Sequence, residues 1–278
     1  MQLRRALDSA IQRLTAAQVG SPRLNAETLL MFVLGRDRAY FYAHGDEALT
    51  ADQVLRYGDA IAERARGVPA QYITGHQEFW GMDLLVSPAV LIPRPETEHV
   101  VETVLELAKN RQTARIVDVG TGSGCIALAL ARELPEAQIH ATDVSADALE
   151  IARANAARHQ LGARVQFHQT DLLTGLGKVP FDFVVSNPPY VGEDEADTVE
   201  AQVRKFEPRI AVFAGQSGLE VFRRLIPLAR DVLKPGGWLV MEIGYSGRDR
   251  VEALLLGWEE VRFVNDLQSI PRVIAARR

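Results

Sequence analysis

The chain has 278 residues, 47% hydrophobic and 24% charged, with 21 Gly and 13 Pro. That is a globular profile, long enough for one large domain or two unequal ones. A net charge of -5 gives no electrostatic footprint for gripping long nucleic acid. The lone Cys125 excludes an internal disulfide framework and a multi-cysteine zinc or iron–sulfur site.

The N-terminal MQLRRALDSAIQRL interleaves charges with apolar residues and has no apolar h-region before a small-residue cleavage site, so no secretory signal is expected. No run of about 18 apolar residues suggests a membrane span. Residues 1–75 read as helices. Leu3, Ala6, Leu7, Ala10, Ile11 and Leu14 recur at helical spacing. Ser21-Pro22 opens a second helix with Leu24, Leu29, Leu30 and Val33 as apolar positions and Gly35 as its stop. Thr50 caps a further helix to about Arg66. This segment holds 9 basic and 8 acidic residues and is near +1, so the remainder is near -6.

Residues 76–95 predict a hairpin, Glu78–Gly81 and Asp83–Ser87, whose exit Pro88, Pro93 and Pro95 stiffen. Residues 96–278 then alternate. Helices are expected at Glu96–Lys109, Cys125–Glu133, Ala146–Gln160, Leu219–Leu233 (with a kink at Pro227) and Arg248–Leu256. Strands are expected at Arg115–Val119, Gln138–Asp143, Val165–Gln169, Phe181–Ser186, Trp238–Ile243, Val261–Asn265 and Arg272–Ala276. The pattern predicts an α/β fold with a mainly parallel sheet covered on both faces. Gly192–Glu200 is acidic, weakly periodic and expected to be a mobile loop.

Gly120-Thr121-Gly122-Ser123-Gly124 lies between a strand and a helix, where glycines let the backbone turn tightly and approach a ligand. The G-x-G-x-G spacing departs from the dinucleotide fingerprint, the G-K-[ST] phosphate ending is missing, and the loop carries no Lys or Arg. Asp143 closes the next strand and can accept both hydroxyls of a ribose diol. A nucleoside ligand without phosphates fits this set, and S-adenosyl-L-methionine is the candidate. Asp118 could meet its cationic methionine moiety, directly or through water. Asp171 could take the adenine amino group, with Leu172 covering the ring.

The strongest signal is Asn187-Pro188-Pro189-Tyr190 after an apolar strand. Two prolines remove two donors and fix φ, leaving an acceptor-only arc of carbonyls to which Asn187 adds its amide. Such an arc suits the NH2 of a planar amine. Acceptors on its hydrogens localise the nitrogen lone pair, and positioning then supplies several kcal/mol toward in-line attack on a sulfonium methyl. Tyr190 would pack on the planar group. Two classes remain open on these residues: a methyltransferase acting on an amide or an adenine N6 amine, and a cofactor-binding module without catalysis.

The flanks narrow the choice. The segments 21–27 (SPRLNAE), 69–75 (PAQYITG), 78–81 (EFWG), 91–98 (LIPRPETE), Phe206-Glu207-Pro208 and 215–219 (GQSGL) resemble signatures of the release-factor glutamine methyltransferases, the PrmC/HemK family. The resemblance covers nearly the whole chain. It implies a Rossmann-like class I methyltransferase domain (96–278), joined by the β-hairpin (76–95) to a small N-terminal helical domain (1–75) for substrate recognition. It implies cytoplasmic methylation of the N5 amide in the Gly-Gly-Gln motif of bacterial class-1 peptide chain release factors, with S-adenosyl-L-homocysteine as product. Gly120, Thr121, Gly122, Ser123, Gly124, Asp143, Asp171, Leu172 and Asn187 would hold the cofactor. Asn187, Pro188, Pro189 and Tyr190 would hold the glutamine, with Asn187, Pro188 and Tyr190 as the catalytic set. Leu172 departs from members that carry an aromatic there. The alternative, an adenine-N6 methyltransferase on DNA or RNA, usually needs base flipping and a basic groove. The six histidines show no paired metal-site spacing, and no G-x-S-x-G elbow is present. Cys125 reads as a small residue packed under the glycine loop.

Overall fold

The structure is a computed structural model and describes residues 1–111, 113–177, 180–245 and 247–278. Five helices open the chain: α1 (Leu3–Ala16), α2 (Pro22–Leu34), α3 (Arg38–Ala43), α4 (Ala51–Ala65) and α5 (Ala70–Thr74). A hairpin follows, β1 (His76–Phe79) and β2 (Met82–Leu85). Then come α6 (Glu98–Leu107), β3 (Arg115–Val119), α7 (Cys125–Glu133), β4 (Gln138–Asp143), α8 (Ala146–Arg158), β5 (Val165–Gln169) and β6 (Phe181–Ser186). The chain ends with α9 (Ala201–Phe206), α10 (Arg209–Val212), α11 (Glu220–Val232), β7 (Leu233–Glu242), α12 (Arg248–Glu252), β8 (Glu260–Asn265) and β9 (Pro271–Arg277).

Two compact units result. Met1–His76 and Ala201–Phe206 form one; Gln77–Glu200 and Glu207–Arg278 form the other. In the helical unit the 3–4 spacing of α1 buries Leu3, Ala6, Ala10 and Leu14 against Leu29, Leu30, Phe41 and Ile61. Thr50 caps α4 through a reciprocal pair with Gln53, and Gly35 ends α2 in the left-handed conformation. Buried Arg64 donates to Asn25 Oδ1 (2.7 Å), the Val68 carbonyl (3.0 Å) and Gln202 Oε1 (3.2 Å), which places α9 in this unit. Leu24 departs from its expected apolar role and is exposed.

The larger unit is built on a seven-stranded sheet in the order β5-β4-β3-β6-β7-β9-β8. The first five strands are parallel, and β9 is antiparallel to both its neighbours. Its central strands bury both faces. Ile116, Phe183 and Val240 join one core; Val117, Val184 and Leu239 join the other. That two-sided burial explains their continuous apolar runs.

Several expectations are corrected. The hairpin strands start earlier than read, and Trp80-Gly81 makes the turn, both with positive φ. Phe79, Met82 and Leu84 lie in the larger unit's core. β7 begins at Leu233 rather than Trp238: Phe181 faces Leu233 while Phe183 faces Trp238, so the Pro-Gly-Gly stretch forms a bulge inside the strand. α11 spans Glu220–Val232 with Pro227 inside it, as expected. The acidic stretch contains a 3-10 helix, Glu193–Thr198, whose side chains meet Arg209 (Glu193, 2.6 Å), Arg250 (Glu195, 3.7 Å) and Gln216 (Asp194).

Candidate active site

Three strand ends meet at one level. Val119 of β3 faces Thr142 of β4 on one side and Ser186 of β6 on the other, so Gly120, Asp143 and Asn187 stand at one level at the carboxyl edge of the sheet. This is the switch point of the strand order, where open α/β sheets bind ligands. A cavity of about 340 Å³ lies there. Its wall includes Gly120, Thr121, Gly122, Ser123, Asp143, Asp171, Leu172, Asn187 and Pro189. Apolar residues from the loop before α6, Val90, Leu91 and Pro93, and Ile210 of α10 line it as well.

Gly120, Gly122 and Gly124 all take positive φ, which an L side chain would resist. A Cβ on Gly120 or Gly122 would meet nothing within 4 Å, whereas one on Gly124 would press on Ala152 and Leu128 at 3.3 Å. The first two glycines therefore leave open space, and the third seats the loop on α8. Asp143 Oδ2 accepts from the Gly122 amide and Oδ1 from the Ser145 amide, both at 2.9 Å. Each carboxylate oxygen keeps acceptor capacity for a ligand hydroxyl. Asp118 is buried beneath the loop and is not on the cavity wall. Its Oδ2 accepts from Thr121 Oγ1 (2.6 Å) and the Ala127 amide (3.2 Å), so it clasps the loop to α7. Desolvation pushes its carboxyl up to about 7. Cys125 packs part-buried against the core and reaches the cavity wall, and desolvation pushes its thiol up to about 12, which disfavours a thiolate.

Asp171 is on the wall but paired with Arg224, another wall residue. Leu172 reaches the wall with φ at +52°, a conformation unfavourable by roughly 1–2 kcal/mol for a residue with a side chain. Pro188 is buried behind the wall. Tyr190 lines a second cavity, of about 370 Å³, with Phe222 and Gly244. Its ring lies so close to Gly244 that a Cβ there would be 2.9 Å from Cδ2.

The tetrad is anchored by residues that sequence reasoning did not single out. Asn187 Nδ2 donates to Thr97 Oγ1 at 3.0 Å, Thr97 Oγ1 donates to Glu242 Oε2 at 2.6 Å, and Tyr190 Oη donates to Glu242 Oε1 at 3.2 Å. The Glu242 charge and burial raise the Tyr190 phenol well above its ordinary value. Nearby, buried Glu207 accepts from the Ile92 amide (3.0 Å) and pairs with Arg94, joining two loops beside the cavity. Thr97, Arg94 and Glu207 stood inside quoted signatures. Glu242 had one visible signal, an acid closing the buried run Leu239-Val240-Met241.

Comparison with known proteins agrees with this geometry. The fold resembles a methyltransferase from Pyrococcus furiosus (TM-score 0.54, 19% identity, 82% of this chain and 98% of that one). It also resembles the hMettl16 catalytic domain in complex with MAT2A 3'UTR hairpin 1 (TM-score 0.59, 18% identity, 89% and 90%). Sheet order, glycine loop and strand-end tetrad define a class I methyltransferase fold. Residues 5–75 match the family model of the PrmC N-terminal domain, and residues 98–206 that of the methyltransferase small domain. The release factor glutamine methyltransferase of Koribacter versatilis is 55% identical over 280 residues, covering 100% of this chain and 99% of that protein. That of Geobacter sulfurreducens is 39% identical over 277 residues, covering 99% and 96%. The chain belongs to the release factor glutamine methyltransferase family.

Proposed function

We propose that this enzyme transfers a methyl group from S-adenosyl-L-methionine to the side-chain N5 of glutamine in the Gly-Gly-Gln motif of bacterial class-1 peptide chain release factors, in the cytoplasm. The observation that carries the reading is Asn187, held through its NH2 by Thr97 at the cavity wall, which leaves its oxygen as an acceptor. S-adenosyl-L-methionine would supply an electrophilic methyl. The residues present fit it: the open glycine loop, Asp143 with spare acceptor capacity for a diol, and apolar walls. Gly120–Gly124, Asp143, Asp171, Leu172 and Asn187 would hold it, and S-adenosyl-L-homocysteine would remain as product.

The work of the tetrad is orientation. An amide nitrogen has a delocalised lone pair and is a weak nucleophile. Asn187 and the proline carbonyls accept from its two hydrogens, drawing the nitrogen toward tetrahedral geometry and favouring the positive charge that grows on it. No strong base is needed, because the proton leaves after the methyl has arrived.

Incubation with labelled S-adenosyl-L-methionine and intact release factor should label the factor and add one methyl mass to the motif glutamine. Label persisting in a Gln→Ala factor would refute the reading, and label on added nucleic acid would favour an adenine-N6 reaction. In this enzyme Asn187→Ala should abolish most turnover, on the order of 100-fold or more, with cofactor affinity in calorimetry lowered far less than turnover. Unchanged turnover would remove Asn187 from the chemistry.

A further inference from the structure

A carboxamide has an acceptor end and a donor end of nearly the same shape, and the proposed reaction works with only one of them facing the substrate. Asn187 with its oxygen in the cavity accepts from the glutamine NH2. The flipped amide would set two donors against each other. Something must therefore break the symmetry, and the buried network behind Asn187 has the means.

Its directions follow from proton inventory. An ionised carboxylate only accepts. Glu242 takes one hydrogen from Tyr190 on Oε1 (3.2 Å) and one from Thr97 on Oε2 (2.6 Å). Thr97 has a single hydroxyl hydrogen, now committed to Glu242, so toward Asn187 it can only accept, and at 3.0 Å it does so from Nδ2. Thr97 and Glu242 are both buried, so water does not compete for these positions. Thr97 and Asn187 both stand on the cavity wall, while Glu242 does not.

We propose that Thr97 and Glu242 are positioning residues that form a one-way hydrogen-bond chain, setting Asn187 with its amide oxygen toward the substrate nitrogen. The inference rests on the amide-methylation reading above. It adds a consequence that the tetrad alone does not have. A proton on Glu242 would let the carboxylic acid donate to Thr97. The threonine hydrogen would then turn toward Asn187 and stabilise the flipped, donor-outward amide. Tyr190, Thr97, Glu96, Arg272 and Cys125 are the groups that face or act on this carboxyl. Burial pushes it up to about 7, with Glu96 raising it further and the two hydrogen bonds and Arg272 opposing. Turnover should accordingly rise with pH through the neutral range as Glu242 ionises.

The test compares kcat, KM and the pH profile on intact release factor, with melting temperature and S-adenosyl-L-homocysteine affinity as controls. Thr97→Val keeps the volume and cannot accept from Asn187. It should lower kcat on the order of 10- to 100-fold, with KM and cofactor affinity changed less than about threefold. Thr97→Ser should restore most of the loss. Glu242→Gln keeps the shape but brings an NH2, so the chain can run in either direction. It should lower kcat and remove the acid limb of the kcat profile. Should Thr97→Val melt below the assay temperature, the Glu242→Gln pH profile decides alone. Wild-type kcat in folded Thr97→Val, an effect confined to KM, or an acid limb that survives Glu242→Gln overturns the chain. A wild type inactive on the motif glutamine overturns the reaction reading and this inference with it. An active wild type with unaffected variants overturns the chain alone.

Discussion

At the scale of single residues, this site is held by close contacts that leave little room. Gly218, with φ at +76°, would place a Cβ 2.5 Å from the Tyr190 carbonyl, so the GQSGL segment touches the tetrad's backbone where a side chain cannot go. Gly244 does the same for the Tyr190 ring. Gly244→Ala should therefore displace the ring, lower stability by about 1–3 kcal/mol in urea denaturation and lower kcat, with cofactor affinity kept. An unchanged unfolding midpoint would show that the ring has slack. The sequence made Asn187, Asp143 and the glycines readable because they stand in short local motifs at or directly after the ends of apolar strands. Thr97 and Glu242 were not readable as partners, because 145 residues separate them and hydrogen-bond partners at such range have no spacing rule.

At the scale of elements, the parallel strands and their helices were the most legible. β3, α7, β4, β5 and β6 have the bounds that periodicity predicts. The short helices α3, α5, α9 and α10 went unread, since each is too brief to show a period and rests on its packing. Pairing between strands also hid a contact. His140 on β4 and His168 on β5 looked scattered in sequence, yet lie diagonally across the strand pair, His140 facing Gln166 and His168 facing Thr142, with Nδ1 to Nε2 at 3.1 Å and the rings stacked. Burial, then His168 and Arg115, lowers His140 to about 4, and burial lowers His168 too. The folded state thus favours neutral imidazoles. Their contribution is complete above the ordinary value of about 6.5 and is lost as pH falls toward 4. Asp118 and Glu242, raised to about 7, act in the opposite sense: the folded state holds their protons, so they favour folding as pH falls from 7. A whole-protein pH curve mixes the two, so the comparison must be differential. The melting temperature of His140→Gln relative to wild type should climb as pH drops from 7 to 5. A constant difference would show that the pair does not titrate with folding.

At the scale of the whole chain, charge and exposure bear on the partner. The first 75 residues are near +1 and the rest near -6, a balance that suits a protein substrate better than a phosphate backbone. The helical unit exposes Leu24, Tyr42 and Leu55 while its core is complete without them. We propose that this unit recognises the release factor. Replacing the three by Ser should raise KM for intact factor about fivefold or more and leave kcat and melting temperature near wild type. An unchanged KM would remove these residues from recognition.

Local patterning by itself determined the alternation of strands and helices, the glycine turn and the acceptor-only tetrad. These depend on neighbours within a few residues, where steric and hydrogen-bonding preferences are strong. Only the tertiary structure decided which strand ends meet, that Asp118 clasps the loop instead of lining the cavity, that the acidic 192–200 stretch contains a 3-10 helix, and that Asn187 is backed by Thr97 and Glu242. Those outcomes depend on chain-distant groups brought together by burial, where low dielectric and exclusion of water make each hydrogen-bond direction matter.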